Sequence, residues 1–210
     1  MLIPSEQDFA QAVALWREWN GRINVISRKD EDNIFAHHIL HSLAIAQYLE
    51  LFYPSASPSA TGKGYFLDVG TGGGFPGIPL AMVMPWAKFT LCDSIGKKVK
   101  VAQAVSDGLG LQNVECVNAR VESLPGQWDW VVSRAVTSLE NFYPWVKGRF
   151  RRSILYLKGG DIDTEIAILR KKYHIPTANI RTWRIDSWLK DEYFAEKFVI
   201  EVGKNYLCTP

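Results

Sequence analysis

The chain has 210 residues, 47% hydrophobic and 22% charged, with a net charge of +2 at pH 7. This length suits one α/β domain with a helical extension. No apolar run reaches the ~20 residues that a membrane span needs, and the first six residues do not form a signal pattern. The cysteines Cys92, Cys116 and Cys208 are far apart, without metal-type spacing. We therefore expect a cytoplasmic protein with no membrane partner and no metal site.

An amphipathic helix is predicted near the N-terminus. The residues from Ser5 to Asp8 match a capping box, the pattern in which two side chains satisfy the first free amides of a helix. Apolar residues then recur at helical spacing, namely Phe9, Val13 and Trp16. This pattern predicts a helix over about residues 5–20.

A second helix is predicted from Glu31 to Leu51 and carries three of the four histidines. His37, His38 and His41 lie three and four residues apart, so pairs of them share one face of a helix. No cysteine or carboxylate joins them convincingly in the sequence. We therefore favour a packing role, or a polar contact near the active site, over a metal site.

A stretch rich in small residues follows and divides the chain. It predicts a helical N-terminal extension over residues 1–53 that packs on the core, a linker over 54–64 and a core domain over 65–210. In the core, strands alternate with helical patterns, which predicts a mostly parallel sheet covered on both faces. The seven predicted strands are 65–69, 88–93, 114–119, 128–133, 154–157, about 178–186 and 197–202, with helices over 96–109 and 161–172.

A glycine-dense turn follows the first core strand. Glycine allows a positive φ and lets the backbone approach a ligand closely, and the helix behind the turn points its amides at the same place. A dinucleotide site would need a third glycine where Phe75 stands, whereas Gly70, Gly72 and Gly74 alternate as in S-adenosylmethionine-dependent methyltransferases. We also expect Asp68, inside the strand, to meet the amino acid end of that cofactor.

The ends of the other strands predict further site residues, because ligands of parallel sheets bind beyond the carboxyl ends of the strands. Asp93 ends the second strand, where a carboxylate can accept two ribose hydroxyls or cap the next helix. Arg120, Arg134 and Lys158 follow the third, fourth and fifth strands. We expect these three basic side chains to converge on one cleft and to bind phosphate or a base edge.

Several motifs occur in the order found in one known family. They are Trp19-Asn20 with Asn24, His38-Ile39-Leu40, Asp68 to Leu80, Asp93 to Lys98, Ala119 to Glu122, Val132 to Ala135 and Leu157-Lys158-Gly159. Over this span, from about Trp16 to the C-terminus, the chain resembles the bacterial small-subunit ribosomal RNA guanine-N7 methyltransferases, also called the glucose-inhibited division protein B family. The resemblance implies a class I S-adenosylmethionine-dependent methyltransferase, Rossmann-like, that modifies a guanine of 16S ribosomal RNA in the small subunit.

The resemblance also implies roles for individual residues. With the glycine turn and Asp93, it assigns cofactor contacts to Gly70, Gly72, Gly74, Phe75, Asp93, Val121, Glu122 and Arg134. Arg134 or Arg120 would face the guanine, and the sequence does not decide between them. RNA contacts are expected at Lys97, Lys98, Lys158 and Lys197. The expected partner is the small ribosomal subunit, with S-adenosylhomocysteine as product, and we expect a monomer with no obligate protein partner.

Two departures from the family pattern stand out. Where the family usually has His-Ile-Leu-Asp-Ser, this chain has His41 at the fourth position, so a role for an acid there does not transfer. The N-terminal helical region also looks short. Three alternative functions remain: a methyltransferase of the same fold acting on another RNA, a protein or a small molecule; a nicotinamide-dependent oxidoreductase, which Phe75 argues against; and a non-enzymatic cofactor-binding module that docks on the ribosome.

Overall fold

The computed structural model of the chain describes residues 2–54 and 64–203. Its centre is one seven-stranded sheet in the order β3-β2-β1-β4-β5-β7-β6, in which only β7 runs antiparallel to its neighbours. The strands are β1 Tyr65–Val69, β2 Lys88–Asp93, β3 Val114–Asn118, β4 Trp128–Arg134, β5 Phe150–Gly159, β6 Ile180–Arg184 and β7 Lys197–Gly203. The predicted seven-stranded, mostly parallel sheet is therefore confirmed.

Helices cover both faces of the sheet. They are α1 Ala10–Asn20, α2 His41–Phe52, α3 Gly77–Val83, α4 Gly96–Gly108, α5 Leu139–Val146 and α6 Ile162–Tyr173. Side chains of a strand alternate between the two faces, so neighbouring residues enter different cores. In β1, Phe66 joins the core beneath α1 to α4, whereas Leu67 joins the core beneath α5 and α6.

The predicted N-terminal helix is present over nearly its whole length. A 3₁₀ turn, Glu6–Phe9, leads directly into α1. At its start the backbone amide of Ser5 donates to Asp8 Oδ2 at 2.9 Å, which is one half of the predicted capping box. Trp16 is fully buried in the same core cluster as the sheet residues, so α1 packs directly on the core domain.

The second predicted helix is interrupted. Instead of one helix from Glu31 to Leu51, the chain forms a 3₁₀ turn over Arg28–Asn33, a π-helical turn over Ile34–Leu40, and then α2. The carboxylate of Asp30 contacts the rings of His37 and His38, which are consecutive in sequence. Consecutive residues do not share a face of an α-helix. The contacts of one carboxylate with both rings therefore occur where the chain departs from α-helical geometry.

Helix α5 was not predicted, since its sequence contains Pro144 and an aromatic run.

The predicted linker over residues 54–64 is described only at its two ends, Pro54 and Gly64, and residues 55–63 lie outside the described part of the chain. The helical extension on its N-terminal side is tied to the sheet, because the hydroxyl of Tyr48 in α2 donates to the buried carboxylate of Glu201 in β7 at 2.5 Å. Among the described residues, no helix has the length and apolarity to cross a membrane.

Candidate active site

A cavity of about 410 Å³ lies at the carboxyl ends of β1, β2, β3 and β4. β1 and β4 are neighbours although they are far apart in sequence, so this edge is the point where the strand order reverses and ligands of such sheets bind. The predicted cofactor residues that line it are Gly70, Gly72, Phe75, Asp93, Val121, Glu122 and Arg134. Two further basic residues with predicted roles also line it, namely Lys98 and Arg120.

The glycine turn is packed too closely for a side chain at Gly70 or at Gly74. Gly70 has φ +70°, and a Cβ there would lie 2.4 Å from Val136 Cγ2 in the loop after β4. Gly74 does not line the cavity; it has φ +107°, and a Cβ would lie 2.3 Å from Ile78 Cδ1. The first glycine therefore brings the turn against β4, whereas the third lets the chain enter α3.

Asp93 connects the turn to the second strand. Its Oδ2 accepts from the amide of Gly72 at 2.9 Å, and its Oδ1 accepts from the amide of Ile95 at 2.8 Å, just before α4. A carboxylate oxygen can accept two hydrogen bonds, so each oxygen keeps one acceptor position for a ligand. Asp93 does not cap α4, because the N-cap residue of that helix is Ile95 and no side chain caps its first amides, so the predicted capping role is wrong. The remaining acceptor positions suit a ligand with two hydroxyl groups.

Asp68 does not face the cavity, and the expectation that it meets the cofactor is wrong. The side chain is fully buried beneath the turn, where Oδ2 accepts from Thr71 Oγ1 at 2.7 Å and from the amide of Gly77 at 2.8 Å. Burial, partly offset by these hydrogen bonds, raises the pKa of Asp68 to about 7. Asp68 therefore shapes the glycine turn from below.

Residues of the N-terminal segment complete the cavity. The indole Nε1 of Trp16 donates to the carbonyl oxygen of Gly73 at 2.7 Å, and the ring stacks on Phe75 with centroids 4.2 Å apart. Val25 lines the cavity and packs on Gly73 so closely that a Cβ there would lie 2.7 Å from Val25 Cγ2. Sequence reasoning placed Trp16 on the buried face of a helix but assigned neither residue to the site.

Arg134 is held in place from the N-terminal segment. Its Nη2 donates to His38 Nδ1 at 2.8 Å, and its guanidinium lies 5.0 Å from the centroid of the Phe75 ring. Because His38 Nδ1 accepts, the ring proton sits on Nε2 and is donated to Asp30 Oδ2 at 2.6 Å. The other oxygen of Asp30 lies 2.5 Å from His37 Nδ1. This confirms the expected polar contact of a histidine near the site.

His41 occupies a buried position beside these groups. It is 5% exposed, and neither ring nitrogen has a hydrogen-bond partner within the described part of the chain. Burial, followed by the positive charges of Arg134 and Lys197, holds the pKa of His41 well below its usual value. Burial and Arg134 likewise lower the pKa of His38 to about 4. Both rings are therefore neutral at pH 7.

Three of the predicted RNA-binding lysines lie outside the cavity lining. Lys97 is exposed in the first turn of α4. Lys197 Nζ lies 3.3 Å from the centroid of the Tyr193 ring. Lys158 Nζ is 2.8 Å from Glu165 Oε1. The expected convergence of three basic residues is thus only partly correct, because Arg120 and Arg134 line one cavity while Lys158 pairs with an acidic residue on α6.

Comparison with known proteins identifies the relatives of this chain. The family model described as rRNA small subunit methyltransferase G matches residues 5–184. The chain is 44% identical to the ribosomal RNA small subunit methyltransferase G of Christiangramia forsetii, over 94% of this chain and 90% of that protein. It is 42% identical to the protein of the same name from Flavobacterium psychrophilum, with the same coverage of each chain.

Solved structures confirm the fold. Magnesium protoporphyrin IX methyltransferase from Synechocystis PCC 6803, crystallised with bound S-adenosylmethionine, superposes with a TM-score of 0.62 at 14% identity, covering 98% of this chain and 100% of that one. The plantazolicin methyltransferase BpumL superposes with a TM-score of 0.60 at 11% identity, covering 95% and 97%. The predicted class I methyltransferase fold is confirmed, and the chain belongs to the rRNA small subunit methyltransferase G family.

Proposed function

We propose that this chain transfers a methyl group from S-adenosylmethionine to N7 of a specific guanine in 16S ribosomal RNA of the small subunit. The observation that carries the proposal is the family match over residues 5–184, which spans the glycine turn, Asp93 and Arg134. A match of this extent favours the ribosomal substrate over another RNA, a protein or a small molecule.

The cavity fits the proposed cofactor. Its volume of about 410 Å³ lies within the range of small-molecule sites. The backbone of Gly70 and Gly72 would approach the ligand without a Cβ, the free acceptor positions of Asp93 would bind the ribose hydroxyls, and Val121 with Glu122 would contact the adenine. When bound, S-adenosylmethionine supplies an electrophilic methyl group.

The proposed acceptor does not require a general base. Guanine N7 carries an in-plane lone pair and no proton, so no proton has to be removed when it accepts a methyl group. The contribution of the protein is then alignment and electrostatic complementarity. Consistent with this, the histidines nearest the cavity are held neutral or paired and are not presented to it as bases.

Arg134 is the better candidate for the guanine contact. It is the last residue of β4, at the reversal point of the sheet, and its contacts with His38 and Phe75 fix the guanidinium. An arginine placed there can donate to guanine O6 and leave N7 free. Arg120 is exposed on the loop after β3, where an RNA phosphate or the edge of the base is within the reach of a long side chain. Lys97 and Lys98, in the first turn of α4, extend this basic rim.

We further propose that the chain acts as a monomer in the cytoplasm without an obligate protein partner. The net charge is only +2. Because affinity for any RNA backbone grows with positive charge, this modest value favours recognition of a shaped ribosomal surface over unspecific RNA binding.

Methyl transfer to purified small subunits tests the function. Subunits from cells that lack this protein are incubated with the enzyme and labelled S-adenosylmethionine, and N7-methylguanine is located in the 16S RNA by chemical cleavage at that base and primer extension. We expect one modified guanine in subunits and weak labelling of short RNA fragments. Efficient labelling of fragments, or label only in protein or small molecules, would contradict the proposal.

A further inference from the structure

The loop Ala135–Ser138 connects β4 to α5 and carries part of the cavity wall, and we call it the β4–α5 loop. Ala135 and Val136 line the cavity directly after Arg134, and Val136 is the residue against which Gly70 packs. Ala135 has φ +48°, a left-handed conformation that is strained for a residue other than glycine. Such a conformation persists only where its surroundings impose it.

The hydroxyl of Tyr156 imposes much of it. Tyr156 is fully buried in β5, beside β4. Its oxygen accepts from the amides of Val136 at 3.0 Å and Thr137 at 3.1 Å, and its hydroxyl donates to the carbonyl of Thr137 at 2.8 Å. One buried side chain thus makes three hydrogen bonds with this loop, one as donor and two as acceptor.

An ion pair holds the same loop at its other end. Lys158 Nζ donates to the carbonyl of Thr137 at 3.1 Å and pairs with Glu165 Oε1 at 2.8 Å. Glu165 Oε2 accepts from the amide of Leu139, the first residue of α5, at 3.0 Å. The side chains of Lys158 and Glu165 are only 18% and 22% exposed. The ammonium group of Lys158 is thus paired with a carboxylate and hydrogen-bonded to a carbonyl of the same protein.

We infer that Tyr156, Lys158 and Glu165 are positioning residues that hold the β4–α5 loop in the conformation required for methyl transfer. This inference rests on the proposed function for its kinetic part. It gives Lys158 a different role from the RNA contact that the family resemblance suggests. None of the three side chains lines the cavity, so they act through Arg134, Ala135 and Val136.

Hydrogen exchange combined with kinetics tests the inference on Tyr156→Phe, Lys158→Met and Glu165→Gln. Tyr143→Phe is the matched control, since it removes a half-buried phenol hydroxyl of α5 that makes no described contact with the loop. Exchange reports the loop directly, whether or not the chain methylates ribosomal subunits, so failure of the proposed function and failure of this inference are distinguishable. The melting temperature shows that each variant is folded.

We expect Tyr156→Phe to speed exchange at the amides of Val136 and Thr137 by about tenfold or more, because their acceptor is lost. We expect kcat to fall about tenfold while the Kd of S-adenosylhomocysteine changes less than about threefold, since alignment contributes to the rate more than to cofactor binding. Glu165→Gln retains an acceptor for the Leu139 amide and should lose less activity than Glu165→Ala. Tyr143→Phe should match the wild type.

Lys158→Met separates the two roles of the lysine. As a positioning residue, its loss lowers kcat and leaves the salt dependence of subunit binding unchanged. As an RNA contact, its loss raises KM, leaves kcat intact and reduces the slope of log affinity against log salt by about one. The second result would overturn the inference for Lys158, and unchanged exchange and kcat in Tyr156→Phe would overturn it for the loop.

Discussion

The indole of Trp16, in the first helix, donates a hydrogen bond to the backbone carbonyl of Gly73, in the glycine turn, at 2.7 Å. The same ring stacks on Phe75, which in turn lies beneath the guanidinium of Arg134. Trp16 thus fixes the turn that is expected to hold the cofactor and supports the ring under the arginine. The first prediction concerns this contact.

Trp16→Phe keeps an aromatic ring near Phe75 but removes the donor to Gly73. A hydrogen bond contributes about 1 kcal/mol net, so we expect the Kd of S-adenosylhomocysteine to rise about fivefold in calorimetric titration. Trp19→Phe is the control, because the ring of Trp19 faces the guanidinium of Arg22 at 5.1 Å. Equal weakening in both variants would show that general packing, and not the contact with the turn, sets the affinity.

Gly70→Ala should abolish cofactor binding, and Gly110→Ala should not. Both glycines have similar backbone angles, φ +70° and +66°, so both substitutions carry the left-handed penalty of about 1 kcal/mol. Only at Gly70 would the new Cβ meet another atom, Val136 Cγ2, at 2.4 Å. Titration with S-adenosylhomocysteine and thermal unfolding of both variants separate two effects on binding and stability. One is the strain of a positive φ, which both variants share, and the other is the steric clash with Val136, which only Gly70→Ala has. Normal binding by Gly70→Ala would contradict the geometry of the turn.

Asp30→Ala should slow methyl transfer although Asp30 lies outside the cavity lining. Without its carboxylate, the His38 ring proton has no acceptor, and Nδ1 is no longer fixed as the acceptor for Arg134. We expect kcat to fall about tenfold, which is a barrier increase of about 1.4 kcal/mol. Asp32→Ala removes a nearby exposed carboxylate and serves as the control. An unchanged kcat in Asp30→Ala would show that His38 alone suffices.

The folded protein should lose stability in mild acid through its buried histidines. The pKa of His41 lies well below its usual value of about 6.5 in the folded state, so the unfolded chain binds more protons as the pH falls. The stabilisation is complete above pH 6.5 and is lost progressively below it. His41→Phe keeps ring contacts with Tyr193 and Phe194. We expect the variant to lose less free energy of unfolding than the wild type between pH 7.5 and 5.

Chemical unfolding at the two pH values measures this difference. His174→Asn removes an exposed histidine and should follow the wild type, since asparagine tolerates the left-handed backbone found there. An identical pH dependence for His41→Phe and the wild type would show that His41 reaches water or an acceptor in solution.

Lys97→Gln should weaken binding of the small subunit without affecting the cofactor. Lys97 is exposed in the first turn of α4, beside Lys98, which lines the cavity. Loss of one phosphate contact reduces the slope of log affinity against log salt by about one. Filter binding of subunits at several salt concentrations measures the slope, with Lys171→Gln on α6 as the control. The same slope in both variants would remove Lys97 from the RNA surface.

The fold followed from local patterns that the sequence displays directly. Strand periodicity and the glycine turn predicted β1 and its neighbours, and the carboxyl-end rule then placed Asp93 and Arg134 at one cavity. Helix α5 escaped prediction because of Pro144, which cannot donate to the carbonyl of Glu140. In the structure the hydroxyl of Tyr173 donates to that carbonyl at 2.8 Å instead. A hydrogen bond from α6 thus replaces the one that Pro144 cannot make within α5, and the helix continues where local rules predict that it ends.

The tertiary part of the site was not predictable from spacing. Trp16 and Gly73 are 57 residues apart, and Arg134 and His38 are 96 apart. Asp68 was misplaced because its position at the end of β1 does not reveal that its side chain points beneath the turn. Each of these outcomes depends on how helices dock on the sheet, which a pattern along one segment does not contain.

The packing of Trp16 and Val25 against the glycine turn has a consequence for assembly of the molecule. The N-terminal helices are synthesised before the sheet, so the part of the pocket that they form can close only after β1 to β4 have assembled. A fragment beginning at the first strand would lack part of the pocket wall, however well its sheet formed. Occupancy by the methyl donor would accordingly report that the N-terminal segment has docked on the sheet.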